Sequence, residues 1–135
     1  AFLAPKVNPL RAVESSGSAC HDFVINLDEF DNVNLYEAQA EVVLPTLDMP
    51  ADLLVMDPPR SGLTPAVHDA LEKLQPKQIA YISCDPATLA RDVKRILSNG
   101  YQIKSITPFD LFPHTAHIES IVMMAKEKSE GVKIQ

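Results

Sequence analysis

The 135-residue chain is 46% hydrophobic and 22% charged, the balance of a folded domain, and it holds neither a secretory signal nor an apolar run near the roughly 20 residues of a membrane helix. Its two cysteines, Cys20 and Cys84, stand far apart without CxxC spacing, which argues against a disulfide framework or a zinc ribbon and makes a reducing cytoplasm the expected setting. The net charge of −6 runs against a nucleic-acid partner unless a local patch such as Lys94, Arg95 and Lys104, or a surface elsewhere in the protein, supplies the contact.

Apolar runs alternate with helical patterns along the chain, which predicts βαβ units and a mostly parallel sheet. Residues 11–13, closed by Glu14, read as the end of a strand. Residues 15–30 place Ala19, Phe23, Leu27 and Phe30 on one helical face, opposite polar positions. A short strand is expected at 33–37. Residues 52–56 form a continuous apolar run ending at Asp57, as in a strand buried on both faces. Thr64 before Pro65 is an N-cap followed by an N1 proline, opening a helix with Val67, Ala70, Leu71 and Leu74 inward. Residues 78–83 form the next strand. Asp85 and Pro86 repeat the capping device for a helix bearing Leu89, Val93, Ile96 and Leu97, and Asn99-Gly100 ends it. A strand at 101–107, a loop at 108–117, a last strand at 118–125 and a charged tail after Lys126 complete the order β-α-β-β-α-β-α-β-β. Ligands of such sheets gather at the carboxyl ends of the strands, where Glu14, Asp57 and Cys84 all fall.

Three stretches can carry chemistry. Asp57-Pro58-Pro59-Arg60-Ser61-Gly62 follows a strand; its prolines stop the strand, but an acidic residue closing a buried strand wants a partner or a ligand. Ser83-Cys84-Asp85-Pro86-Ala87-Thr88-Leu89-Ala90-Arg91-Asp92 sets a cysteine between a strand end and a capped helix. The positive end of that helix favours a thiolate while Asp85 opposes it. Cys20, on an apolar helix face, reads instead as an inert buried residue. The loop from Phe109 to Glu119 is rich in aromatics and imidazoles and ends in a carboxylate. Phenylalanine packing, surface histidines and a Glu119 salt bridge would explain it, and a zinc site of His114, His117 and Cys84 is the metal alternative.

DPPRSG, SCDPATLARD and FPHTAHIE, in this order and spacing, resemble the signature blocks of the RNA (uracil-5-)methyltransferase family, whose members modify uridines in tRNA and 23S rRNA. The resemblance covers about residues 1–126. It implies a Rossmann-like, S-adenosylmethionine-dependent methyltransferase fold, α/β, with a mostly parallel sheet and an antiparallel last strand. It also implies Cys84 as nucleophile and Glu119 as proton acceptor. For the cofactor S-adenosyl-L-methionine it implies Asp57 as a contact, Glu14 on the ribose hydroxyls and Gln39 beside the adenine, and for the partner it implies RNA.

Phe109, Phe112 and His114 are candidates to stack against an unstacked base. The family's glycine-rich loop and first, central strand have no counterpart here, and residues 1–5 resemble the tail of the helix after that loop. The chain is therefore expected to be a C-terminal portion of a catalytic domain, residues 1–126, with residues 127–135 as tail. Two other readings stay open: a methyltransferase acting on an exocyclic amine, which shares Asp57-Pro58-Pro59 but has no use for the cysteine, and a non-catalytic binding module that keeps the blocks as scaffold.

Overall fold

The computed structural model describes residues 2–49, 51–111 and 118–126. The chain divides into two compact units, Ala1–Asp48 and Met49–Gln135. In the first, β1 (Leu10–Glu14) and β2 (Val33–Glu37) run parallel with Glu14 opposite Glu37, and α1 (Gly17–Leu27) makes the crossover. Cys20 and Leu27 are its buried positions and Phe23 is half-buried, whereas Ala19, expected inside, is exposed. The inner place in the first turn belongs to Cys20, as its reading as a buried thiol implied, and its thiol donates to the Glu14 carbonyl at 3.4 Å. A helical turn, α2 (Ala40–Val43), and a 3-10 turn at Leu44–Thr46 follow β2. Neither was expected, since four residues are too few to display a helical period.

The second unit holds four strands in the order β3-β4-β6-β5: β3 (Leu53–Met56), β4 (Gln78–Ser83), β5 (Tyr101–Phe109) and β6 (Glu119–Lys126). β3 and β4 are parallel, while β6 runs antiparallel to both β4 and β5. Among the described residues the strands therefore form two sheets, and the second is mixed. β5 extends two residues further than its apolar pattern suggested, through Pro108 and Phe109. An edge strand tolerates this proline because its outer side has no ladder to donate to.

The helices begin where their caps dictate. In α3 (Pro65–Leu74) the Thr64 hydroxyl accepts from the Val67 N–H, and Gln75 ends the helix in the left-handed region at φ 47°. In α4 (Pro86–Ser98) the Asp85 carboxylate accepts from the Ala87 and Thr88 N–H groups. Ile79, Tyr81, Val122 and Met124 alternate to one face of the sheet and are buried along with Val67, Ala70 and Leu71 of α3 and Leu89, Val93 and Ile96 of α4. The opposite face is different. Leu53 and Val55 are 40% and 45% exposed, so β3 is buried on one face and not, as its apolar run suggested, on both.

That asymmetry sets the expected cost of substitution. Ile79→Ala, at a fully buried position, should lower stability by about 2–5 kcal/mol. Val55→Ala on the exposed face should cost less than about 1 kcal/mol. Urea denaturation of the two variants checks the contrast.

Candidate functional site

The register of the second sheet builds a row of side chains. The last pair joining β4 to β6 is Ser83 with Ser120, and the next residues along the two strands are Cys84 and Glu119, both half-buried. On its other side Glu119 is paired with Phe109 of β5, which is 40% exposed. Directly opposed residues of an antiparallel ladder project from the same face. Glu119 and Phe109 thus project from one face, and Cys84 follows one residue past the last β4–β6 pair, at the carboxyl end of β4. β3 ends in the same region: its last pair is Met56 with Tyr81, which sets Asp57 level with Ile82, two residues before Cys84. Asp57 is exposed, so the burial cost that would have demanded a partner for it does not arise.

Cys84 occupies the bend between β4 and α4. The neighbouring Asp85 carboxylate closes the first turn of α4, with Oδ1 accepting from the Ala87 and Thr88 N–H groups, both at 2.9 Å. Its carboxyl is held below the ordinary range, first by the Thr88 N–H and further by the Thr88 hydroxyl, the Ala87 N–H and the charge of Arg60, against the opposing effect of burial. The cap is therefore anionic at neutral pH, and Arg60 brings a cation to it.

Behind this row lies a polar cluster that the sequence reading did not single out. Asp92 of α4 is fully buried. Its Oδ2 accepts from the Leu63 N–H and the Tyr81 hydroxyl, both at 2.7 Å. Its Oδ1 meets His68 Nε2 at 3.3 Å and accepts from Arg91 Nε at 3.0 Å. Burial works to raise the Asp92 pKa, but the bonds from Leu63, Tyr81, Arg91 and His68 outweigh it and hold the carboxyl below its ordinary value. Burial and the same carboxylate push the Tyr81 phenol up. A signal for the cluster was present in the sequence: Asp92 interrupts the apolar stripe Leu89-Val93-Ile96, and His68 interrupts Val67-Leu71. A polar residue inside such a stripe must find a partner.

In the first unit Glu14 closes β1, and its Oε1 accepts from the Ser16 N–H at 2.7 Å. Gln39 is exposed and occupies the N-cap position of α2, with no capping bond from its side chain. Both stand at the carboxyl end of the parallel pair β1–β2. Cys20 is buried; burial first, then Glu37 and Glu14, raises its pKa, which fits an inert thiol.

Among the expected basic residues, Arg95 is tied to Asp69 at 2.6 Å and Lys104 donates to Gln102 at 3.2 Å, so Arg95 presents a neutralised pair rather than a bare charge. His114, His117 and Phe112 lie outside the described residues, as does the tail at 127–135. Among the described residues no group of three or more His, Cys, Asp or Glu side chains is placed to hold a metal ion, and no helix is long and apolar enough to cross a membrane.

A family model described as tRNA (Uracil-5-)-methyltransferase matches residues 25–127. An uncharacterized RNA methyltransferase of Bacillus cereus is 38% identical over 130 residues, covering 93% of this chain and 28% of the relative. One of Thermotoga maritima is 41% identical over 101 residues, covering 75% and 23%. The chain thus spans about a quarter of the length of these relatives. The crystal structure of Pyrococcus abyssi tRNA (uracil-54, C5)-methyltransferase in complex with S-adenosyl-L-homocysteine superposes with a TM-score of 0.77 at 31% identity, over 92% of this chain and 30% of that one. Aeropyrum pernix fibrillarin, at 13% identity and a TM-score of 0.68 over 87% of this chain and 55% of that one, shares the fold.

The Asp92 cluster makes stability depend on pH in a defined direction. A carboxyl with a folded-state pKa below its unfolded value stabilises fully above the unfolded pKa, and that contribution fades as pH falls through the folded one. Asp92→Asn should cost about 3 kcal/mol or more at neutral pH, because the carboxylate's partners stay buried. The gap between the variant and the parent protein should narrow below about pH 4, near the ordinary carboxylate pKa. Denaturation curves over the acid range check both statements.

Proposed function

The chain belongs to the tRNA (uracil-5-)-methyltransferase family, and from that premise we propose that it forms part of an enzyme that methylates carbon 5 of a uridine in tRNA or rRNA, with S-adenosylmethionine as methyl donor. The observation that carries this reading is the succession of Cys84 and Glu119 at the end of the β4–β6 ladder. A thiol and a carboxylate at neighbouring positions are what substitution at carbon 5 of uracil requires. The methyltransferases that act on exocyclic amines have no use for that pair, and a binding module needs neither group. The Pyrococcus relative, a tRNA (uracil-54, C5)-methyltransferase with the demethylated cofactor bound, supports the same substrate class.

Carbon 5 of uracil is a weak nucleophile. In this reading the Cys84 thiolate adds to carbon 6, its electron pair forming the C–S bond while the ring's double bond shifts to give an enolate with nucleophilic character at carbon 5. S-adenosylmethionine, when bound, supplies an electrophilic methyl group at a sulfonium. Glu119 then takes the proton left on carbon 5, the double bond re-forms, and the C–S bond breaks to return the thiolate. Phe109, paired with Glu119 across the ladder, offers an aromatic face to the extruded base. The donor chemistry suits the cofactor as well: the Glu14 carboxylate can accept from two ribose hydroxyls, the Gln39 amide can donate and accept at an adenine edge, and Asp57 offers a further acceptor.

Variants of the complete enzyme separate the two roles. Cys84→Ala should abolish both methylation and any covalent enzyme–RNA species. Glu119→Gln should still add and methylate, but proton removal stalls, turnover drops about 100-fold or more, and a methylated adduct that survives denaturation accumulates. Mass spectrometry of the RNA and gel analysis of the adduct read both outcomes, and a Glu119→Gln enzyme of near-normal turnover would refute the assignment of the base.

A further inference from the structure

The segment after β3 is fastened to the middle of α4 at two points. Arg91 Nη2 donates to the Ser61 carbonyl at 2.8 Å, and the Leu63 N–H donates to Asp92 Oδ2 at 2.7 Å. Between them Gly62 takes φ 76° and lies so close that a Cβ there would collide with Asp92 Oδ2 and Arg91 Nη2. Its own N–H closes a turn on the Pro59 carbonyl at 2.8 Å. The clamp is itself held rigid: Arg91 bridges to the Asp92 carboxylate at 2.9 Å, and Tyr81 and His68 fix that carboxylate from behind. Residues 59–63 are thereby tied down. The stretch that follows β3 carries two charged side chains, Asp57, one step beyond the end of β3, and Arg60, whose charge acts on the Asp85 cap beside Cys84.

We propose that the Arg91–Asp92 pair is a positioning device that holds the Asp57–Leu63 segment in register with Cys84, so that Asp57 and Arg60 are aimed before substrate arrives. The proposal rests on the reading of the reaction given above. It explains a feature of the sequence that the reaction leaves unused: one motif ends in Arg-Asp and another in Ser-Gly because the two motifs bind each other. A segment held at both Ser61 and Leu63 has little room to drift, and a displacement of about 1 Å near reacting groups can cost about 100-fold in rate. Arg91 is the better handle for a test, because its side chain is 57% exposed whereas that of Asp92 is 0% exposed, and its loss leaves no hole in the core.

The test compares Arg91→Ala and Arg91→Lys in the complete enzyme. Three quantities are read: kcat and KM for methyl transfer to RNA, the melting temperature, and the rate of tryptic cleavage after Arg60 followed by mass spectrometry. Assayed at a temperature where both proteins are fully folded, Arg91→Ala should be cleaved after Arg60 several-fold faster and lose about tenfold or more in kcat with little change in KM for RNA, although losing one of the donors to Asp92 lowers its melting temperature. Arg91→Lys keeps a donor and a charge and should recover most of the rate. An Arg91→Ala enzyme with parental kcat overturns the proposal. So does a loss of kcat that tracks a fall in melting temperature and is not recovered by lysine. A parent enzyme that methylates no uridine sinks the reaction itself; the cleavage rates then decide the clamp on their own, and equal rates in parent and Arg91→Ala overturn it.

Discussion

A single buried carboxylate organises the second unit. Asp92 has no exposed surface, and removing a charge from water is costly unless hydrogen bonds and an opposite charge replace the lost hydration. Four donors meet that demand, from the backbone at Leu63, the hydroxyl of Tyr81, the imidazole of His68 and the guanidinium of Arg91. Each comes from a different part of the fold: the segment after β3, strand β4, helix α3 and α4 itself. Satisfying one charge therefore joins four elements, and the place where they meet lies directly beneath the carboxyl ends of β3 and β4.

The consequence for the site is geometric. A strand end is an imprecise place to put chemistry unless the segments leaving it are held. α4 is held by the Asp85 cap, which fixes the bend at Cys84. The segment from Asp57 onward is held by Asp92 and Arg91. β6 enters antiparallel between β4 and β5, and its register with β4 delivers Glu119 to the step beside Cys84. The insertion of β6 thus does what no local motif could: it brings Ser120, 37 positions downstream by sequence number, opposite Ser83, with Cys84 and Glu119 each one residue beyond that pair. The sheet face from which that row projects is the less buried one, with Val55 and Leu53 partly exposed. Polar groups there keep access to solvent and to ligands.

Where the sequence reading erred, tertiary context was the reason. The run Leu53–Met56 is apolar at every position, a pattern that a strand buried on both faces would also show, and only the sheet reveals that one of its faces is partly exposed. On α1 the expected burial of Ala19 did not hold, whereas Cys20, read as a buried thiol, does pack on β1. Asp92 and His68 lay in plain view within apolar stripes. One-dimensional periodicity records a polar residue there as an imperfection, although the pairing of two such residues on different helices is what makes each of them tolerable.

The amino-acid sequence by itself determined the alternation of strands and helices, the helix starts at Thr64–Pro65 and Asp85–Pro86, and the position of Glu14, Asp57 and Cys84 at strand ends. These follow from local rules: capping groups, proline geometry and apolar period act over a few residues, so the information sits where it is used. The motif resemblance added Glu119 and Gln39 as candidates but not their surroundings. Only the tertiary structure decided that β6 lies between β4 and β5, that Glu119 falls one step from the Ser83–Ser120 pair, and that the two motifs DPPRSG and SCDPATLARD lock together through Gly62, Arg91 and Asp92. Strand order and register are set by which distant faces bury each other and by how a buried charge is satisfied. Those are properties of pairs far apart in the chain, and no local pattern encodes them.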